Sequence, residues 1–242
     1  MTYANNAQNK KTIGILGGMG PAASANLYLK IIKTAQKMYG AEQDTDFPPM
    51  FIYNLPLSGF DETGFAKPTL VREQLIDGVK KMEKTGSDFV IVACNTVHYF
   101  YDDMQKAVKI PIISIVEETA KAVSEDGSKI VGLLSSESTN KLGIYHKILD
   151  NHGIKTLSVG EEEQKSLNKI ILHVMSGTQG SDDKKSINKI IADLRSRGAE
   201  SAILGCTELP LAFGQEDTNI KLFDSTQIIT DSALKLALGE KA

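Results

Sequence analysis

The feature that most restricts the folds open to this chain is an alternation of short apolar runs with longer stretches of helical periodicity. "KTIGILG" at 11–17 reads as a buried strand leading into a glycine-rich turn. Pro21 then stands where a helix can begin, because the first turn does not need its missing N–H. This helix is expected to reach about Met38, and "PMFIYNL" is the next strand. A polar stretch from Pro56 to Lys67 reads as a loop and precedes a helix over about Thr69 to Thr85. "SDFVIVAC" is a third strand and "KIPIISIV" a fourth, with a short helix between them. The pattern continues with a helix in "EETAKAV", a strand in "SKIVGLLSS" and a helix near Ser138 to Asn151. Then follow strand "IKTLSVG", a helix over Glu161 to Met175, a further helix after the turn at Gly177 to Ser181, strands "AESAILG" and "NIKLFD", and a terminal helix. Strands alternating with helices imply βαβ units, parallel sheets and right-handed crossovers.

The second half echoes the first. "KTIGILGG" resembles "SKIVGLLSS", and "EKTGSDFVIVACNT" resembles "RSRGAESAILGCTE"; Gly14 to Cys94 spans 80 residues and Gly132 to Cys206 spans 74. Similar spacings between similar landmarks predict two lobes on one plan. The expected fold is α/β, with two pseudo-symmetric lobes, each a parallel-type sheet flanked by helices, and an active site in the cleft between them. Residues 11–114 plus 225–242 are assigned to the first lobe and 115–224 to the second. At 242 residues the chain is long enough for both. Its net charge of −3 gives no basic footprint, so nucleic acid is not an expected partner. The apolar run Ile110 to Val116 is broken by Pro111 and Ser114 and is far too short to span a membrane. The first nine residues are polar and are expected to be disordered. With nothing resembling a signal peptide there, the expected compartment is the cytoplasm, where thiols stay reduced.

Cys94 and Cys206 are the only cysteines, and each ends an apolar run and precedes a polar segment. Open parallel sheets bind ligands beyond the carboxyl ends of their strands, where backbone N–H groups and a helix N-terminus favour an anion. A thiol there can be brought toward its working pH. Across a closed cleft, one thiolate and one thiol suit stereoinversion at a carbon acid: one removes the α-proton and the other returns a proton to the opposite face. A strand-end cysteine also serves simply as packing. A disulfide fits poorly with reduced thiols, and two cysteines without CxxC spacing make a poor metal site.

Four segments together, "TIGILGGMGPAAS", "VACNTVH", "IPIISIVEETA" and "LGCTELP", resemble the aspartate/glutamate racemase superfamily, in its cofactor-independent aspartate racemase branch. The resemblance implies racemisation without pyridoxal phosphate or any other cofactor, a small-molecule amino-acid substrate and a homodimer. It places Cys94 and Cys206 on the two catalytic cysteines. Asn95, Thr96 and Val97 fall on the segment that holds the substrate carboxylate, and Met19 and Gly20 on the turn lining the same cleft. The residues themselves add candidates. Thr207, like Thr96, can donate to a carboxylate or a thiolate, or cap a helix. Glu208 is either a first-turn acid or a group that tunes Cys206. His98, four residues after Cys94, either lowers the thiolate's pKa or packs.

The chain departs from that branch where substrate choice is set. Aspartate racemases of the branch carry an arginine in the loop after the second strand and a lysine at the end of the second-lobe helix. The loop here reads "LPLSGFDETGF", with no basic residue before Lys67, and Ser176 stands where the lysine is expected. Losing two cations that pair a buried carboxylate weakens binding of an acidic side chain. The expected substrate is aspartate or glutamate, with a non-acidic amino acid as the alternative. The turn at Gly18 to Ala23 also fits a GxGxxA dinucleotide pattern, so a non-catalytic nucleotide- or ligand-binding protein of the same fold is the competing class.

Overall fold

Strands covered on both faces read as continuous apolar runs, and the buried runs of this chain behave accordingly. The computed structural model describes residues 10–240, so the disorder expected of the first nine lies outside the described residues. The chain opens with β1 (Ile13–Gly17), α1 (Pro21–Tyr39) and β2 (Met50–Asn54). A hairpin of β3 (Phe60–Asp61) and β4 (Gly64–Phe65) follows, then α2 (Pro68–Lys84), β5 (Phe89–Val92), α3 (Tyr101–Lys106) and β6 (Ile112–Ile113). The second half contains α4 (Ile115–Asp126), β7 (Ile130–Leu134), α5 (Glu137–Lys141), α6 (Ile144–Asn151) and β8 (Lys155–Ser158). It ends with α7 (Glu161–Ser176), α8 (Ser181–Ser196), β9 (Ser201–Leu204), β10 (Lys221–Asp224) and α9 (Ser225–Ala237).

Two four-stranded parallel sheets result, ordered β2-β1-β5-β6 and β8-β7-β9-β10. The orders are equivalent strand for strand. Gly14 pairs with Val90 in the first sheet and Gly132 with Ala202 in the second, and each partner lies four residues before a cysteine. Both cysteines therefore leave the same strand of their sheet at the same height. A central core joins the lobes: Ile13, Ile15 and Phe89 from one sheet pack in one cluster with Val131, Leu133 and Ile203 from the other. Helix α9 packs on both α1 and α4.

Three segments differ from the sequence expectation. "KIPIISIV" is a strand only at Ile112–Ile113, because the Ser114 hydroxyl accepts from Glu117 N–H at 3.2 Å and starts α4 at Ile115. The helix expected over Ser138 to Asn151 is divided into α5 and α6, because Gly143 takes a left-handed conformation with φ of 62°. The loop at Pro56 to Lys67 contains the β3–β4 hairpin. Its turn is built on Asp61, whose Oδ1 accepts from the Thr63 hydroxyl at 2.6 Å and from the N–H groups of Thr63 and Gly64.

Ser114 decides where strand becomes helix, so Ser114→Ala is expected to cost about 1 kcal/mol. Urea unfolding should show the midpoint falling at unchanged slope; an unaltered midpoint would show that the cap contributes nothing.

Candidate active site

Beyond their strands, both cysteine segments wind into short 3-10 helices, Thr96–Phe100 and Leu209–Leu211. This turns backbone N–H groups toward sulfur. Those of Thr96 and Val97 face Cys94 Sγ, together with the Thr96 hydroxyl, and that of Glu208 faces Cys206 Sγ. Cys94 is buried and Cys206 half-buried, and both are free thiols.

The two cysteines, one from each lobe, line a single cavity of about 190 Å³. Its floor also carries Thr96, Ser136 and Glu208, and the Gly18–Pro21 turn forms one wall. Gly18 is required in that turn: it has φ of 96°, and a Cβ there would stand 2.4 Å from Leu55 O. The side chains of Leu57, Phe60, Ile171 and Met175 line the cavity, with Asp61 and Glu62 of the hairpin. No Lys, Arg or His lines it.

Polar bonds close the cleft from several directions. Gly20 N–H of the first lobe donates to Glu208 Oε1 of the second at 3.1 Å. The other oxygen of Glu208 accepts from Cys206 Sγ at 3.0 Å and from the Thr207 hydroxyl at 3.1 Å. Ser138 N–H donates to Glu62 O at 3.1 Å and pins the hairpin to the second lobe. The Thr96 hydroxyl lies 2.7 Å from that of Thr139 and 3.2 Å from that of Ser136, which makes a buried group of hydroxyls beside Cys94.

Burial is the largest influence on both thiols. It pushes Cys94 up to about 12, with the negative charge of Glu208 adding to it and the donors of Val97 and Thr96 opposing it. Cys206 is also raised well above an ordinary thiol, by burial first and then by its contact with Glu208. Charge on Cys94 raises Cys206 further, so the two titrate as a pair. Both are therefore thiols at neutral pH.

The residues singled out in the sequence fall into two groups. Met19, Gly20, Cys94, Thr96, Cys206 and Glu208 line the cavity; Asn95, Val97, Thr207 and His98 do not. Thr207 supports Glu208, and the Asn95 side chain bonds Tyr145 and Ser225 instead. Nδ1 of His98 meets Cys94 O at 2.8 Å, and its Nε2 accepts from Ile115 N–H at 3.4 Å, which fixes the neutral Nδ1–H tautomer. Burial lowers His98 to about 4, so it brings no positive charge to the thiol at neutral pH. Glu208 bonds Cys206 directly. Sequence reasoning missed Ser136, Leu57, Phe60, Ile171 and Met175, along with the acidic hairpin. Only the hairpin had a local signal, in the aromatic residues flanking "DETG".

Two thiols, each with backbone donors facing its sulfur, thus stand on one cavity between two equivalent α/β lobes. The chain belongs to the Asp/Glu/Hydantoin racemase family, whose family model matches residues 16–233, and so stands among the racemases, a class of isomerases. It is 31% identical to the broad specificity amino-acid racemase RacX of Bacillus subtilis strain 168, over 94% of this chain and 98% of that one. The crystal structure of an aspartate racemase homologue from Pyrococcus horikoshii OT3 superposes with a TM-score of 0.80 at 31% identity, covering 94% of this chain and 99% of the other. Picrophilus torridus aspartate racemase superposes with a TM-score of 0.77 at 28% identity, covering 94% of each chain. Among the described residues no cluster of three or more His, Cys, Asp or Glu could hold a metal, and no helix is long and apolar enough to cross a membrane.

His98 makes stability depend on pH. Its folded pKa of about 4 lies below the unfolded value of 6.5, so the unfolded state binds the proton first. Its contribution, about 3 kcal/mol in full, is present above pH 6.5 and is lost as pH falls toward 4. Urea melts across that window should slope less for His98→Gln than for the parent; parallel slopes would contradict this. Removing the charge of Glu208 should lower Cys206. The pH midpoint for alkylation by iodoacetamide is therefore expected to move down in Glu208→Gln, and an upward or absent shift would reject the assignment.

Proposed function

We propose that this cavity racemises free α-amino acids by two-base proton transfer, with Cys94 serving one face of the α-carbon and Cys206 the other. The observation that carries this reading is the placement of both thiols, one per lobe, on the same cavity. The Thr96 and Ser136 hydroxyls and the strand-end N–H groups are the donors for the substrate's α-carboxylate. The substrate's ammonium group supplies the positive charge that the lining lacks and favours one thiolate over its thiol, the displaced proton passing to solvent from Cys94 or to Glu208 from Cys206. That thiolate takes the α-proton as the C–H bond breaks, and the electron pair spreads into the carboxylate. The opposite thiol then gives its proton to the other face and becomes the thiolate. No net oxidation or reduction occurs. Glu208, bonded to Cys206, accepts the Cys206 proton when that residue must begin as the base.

The lining favours a non-acidic amino acid over aspartate or glutamate. No cation lines the cavity to pair a side-chain carboxylate, and Asp61, Glu62 and Glu208 would repel one. Leu57, Phe60, Ile171 and Met175 offer apolar contact to an unbranched aliphatic stem, with Asp61 and Glu62 on the same lining as it extends. The Bacillus subtilis relative is a broad specificity amino-acid racemase, which agrees with an unspecialised side-chain subsite here.

Proton NMR in D2O, combined with chiral separation, tests both parts. L-Methionine and L-lysine should lose their α-proton signal and yield the D-enantiomer, well ahead of L-aspartate and L-glutamate. Cys94→Ser and Cys206→Ser should each lose roughly 10²–10⁴-fold in inversion. If no amino acid exchanges, and both variants match the parent, racemisation is wrong. If aspartate or glutamate leads, only the substrate assignment fails.

A further inference from the structure

A buried polar chain, remote from the cavity surface, links the two cysteine-bearing strand ends. The Tyr145 hydroxyl, on α6, donates to Asn95 Oδ1 at 2.6 Å. Asn95 Nδ2 donates to Ser225 Oγ at 3.3 Å, and Ser225 Oγ donates to Leu204 O at 2.8 Å. Asn95 directly follows Cys94, and Leu204 stands two residues before Cys206. The directions are fixed throughout. Ser225 has used its only hydrogen on a carbonyl, so it accepts from the Asn95 amide, and Asn95 therefore presents its oxygen to the tyrosine.

Tyr145 also touches the second strand end directly. A Cβ added to Gly205, the residue before Cys206, would stand 3.2 Å from Tyr145 Cε2. The phenol thus lies against Gly205 with its ring while holding Asn95 with its hydroxyl. Tyr145, Asn95 and Ser225 are all buried, and none of the three lines the cavity. Burial raises the tyrosine's pKa, so its hydroxyl remains a donor at every working pH. A fully paired buried network of this kind holds a single geometry, since any displacement leaves a buried polar atom without a partner.

We propose that Tyr145 is a positioning residue that sets the separation of the two cysteines, through Asn95 on one side and Gly205 on the other. The proposal rests on the two-thiol reading above. Its consequence is specific to that chemistry. Exchange of the α-proton with retained configuration needs one correctly placed thiol. Inversion needs both thiols in register across the same carbon, so a loosened spacing harms inversion more than exchange.

The test uses whichever protiated L-amino acid the parent inverts fastest in D2O, L-methionine and L-lysine being expected to lead. Loss of α-proton from the remaining L-form reports exchange, and the D-form reports inversion. Tyr145→Phe keeps the ring and removes the hydroxyl. The ratio of inversion to retained exchange is expected to fall roughly ten- to a hundredfold, with KM close to the parent's. Ser225→Ala breaks the chain at its other end and should lower the same ratio; it carries the test alone if Tyr145→Phe does not fold. A merely structural loss reduces both rates together and leaves the ratio unchanged, and that result overturns the proposal. A parent that inverts no amino acid, or serine variants of either cysteine that still invert, would overturn the two-thiol reading and this inference with it. Normal inversion in the parent with an unchanged ratio in both variants would overturn this inference alone.

Discussion

Along a parallel strand flanked on both sides, the backbone groups are engaged by the neighbours, so only residues just past its carboxyl end are free to meet a ligand. Strands β5 and β9 are the inner strands that carry this constraint here. Each delivers a cysteine at the same height beyond a strand partner of the same rank. The shared central core then brings the two ends to one cavity. Turn, hairpin and hydroxyl group are all arranged around those two points.

The electrostatics follow from that arrangement. A cleft of this size cannot solvate a bare thiolate, and burial is accordingly the dominant influence on both sulfurs. The backbone donors reduce that penalty without removing it. Glu208 adds negative charge where the thiols can least tolerate it, yet the same carboxylate bonds Cys206 and the opposite lobe through Gly20. Under the proposed function, this balance leaves the site at rest until an ammonium group enters. His98, close in sequence to Cys94, plays no part in that balance: its ring nitrogens bond backbone, and it holds the start of α4 against the first cysteine segment.

Under the proposed function, side-chain specificity rests on the cavity wall rather than on the sheets. The likeness to RacX, to the Pyrococcus horikoshii aspartate racemase homologue and to Picrophilus torridus aspartate racemase extends over 94% of this chain. The cavity wall is supplied by the β3–β4 hairpin and the last turns of α7, where acids and aliphatic side chains line the cavity and no cation does. The hairpin is held by the backbone bond from Ser138 to Glu62 and by Phe65 packed on Tyr99 and Phe100.

Much of the frame was legible in the chain alone. The echo of "VIVACNT" in "AILGCTE", and of Gly14 in Gly132, specified two like sheets, because register and burial act on local apolar runs. The absence of Arg and Lys from the expected positions was legible too. Shorter elements were not: Ser114 converts an apolar run into a helix start, and Gly143 divides a helix, through single caps and single dihedral angles. The contents of the cavity were least legible. Met175 and Phe60 meet there from different lobes, and Tyr145 meets Asn95 across 50 residues of chain. The sequence by itself determined the two sheets and the strand ends on which the cysteines stand. Tertiary structure alone decided which side chains face them, since contacts between lobes leave no periodicity in either segment.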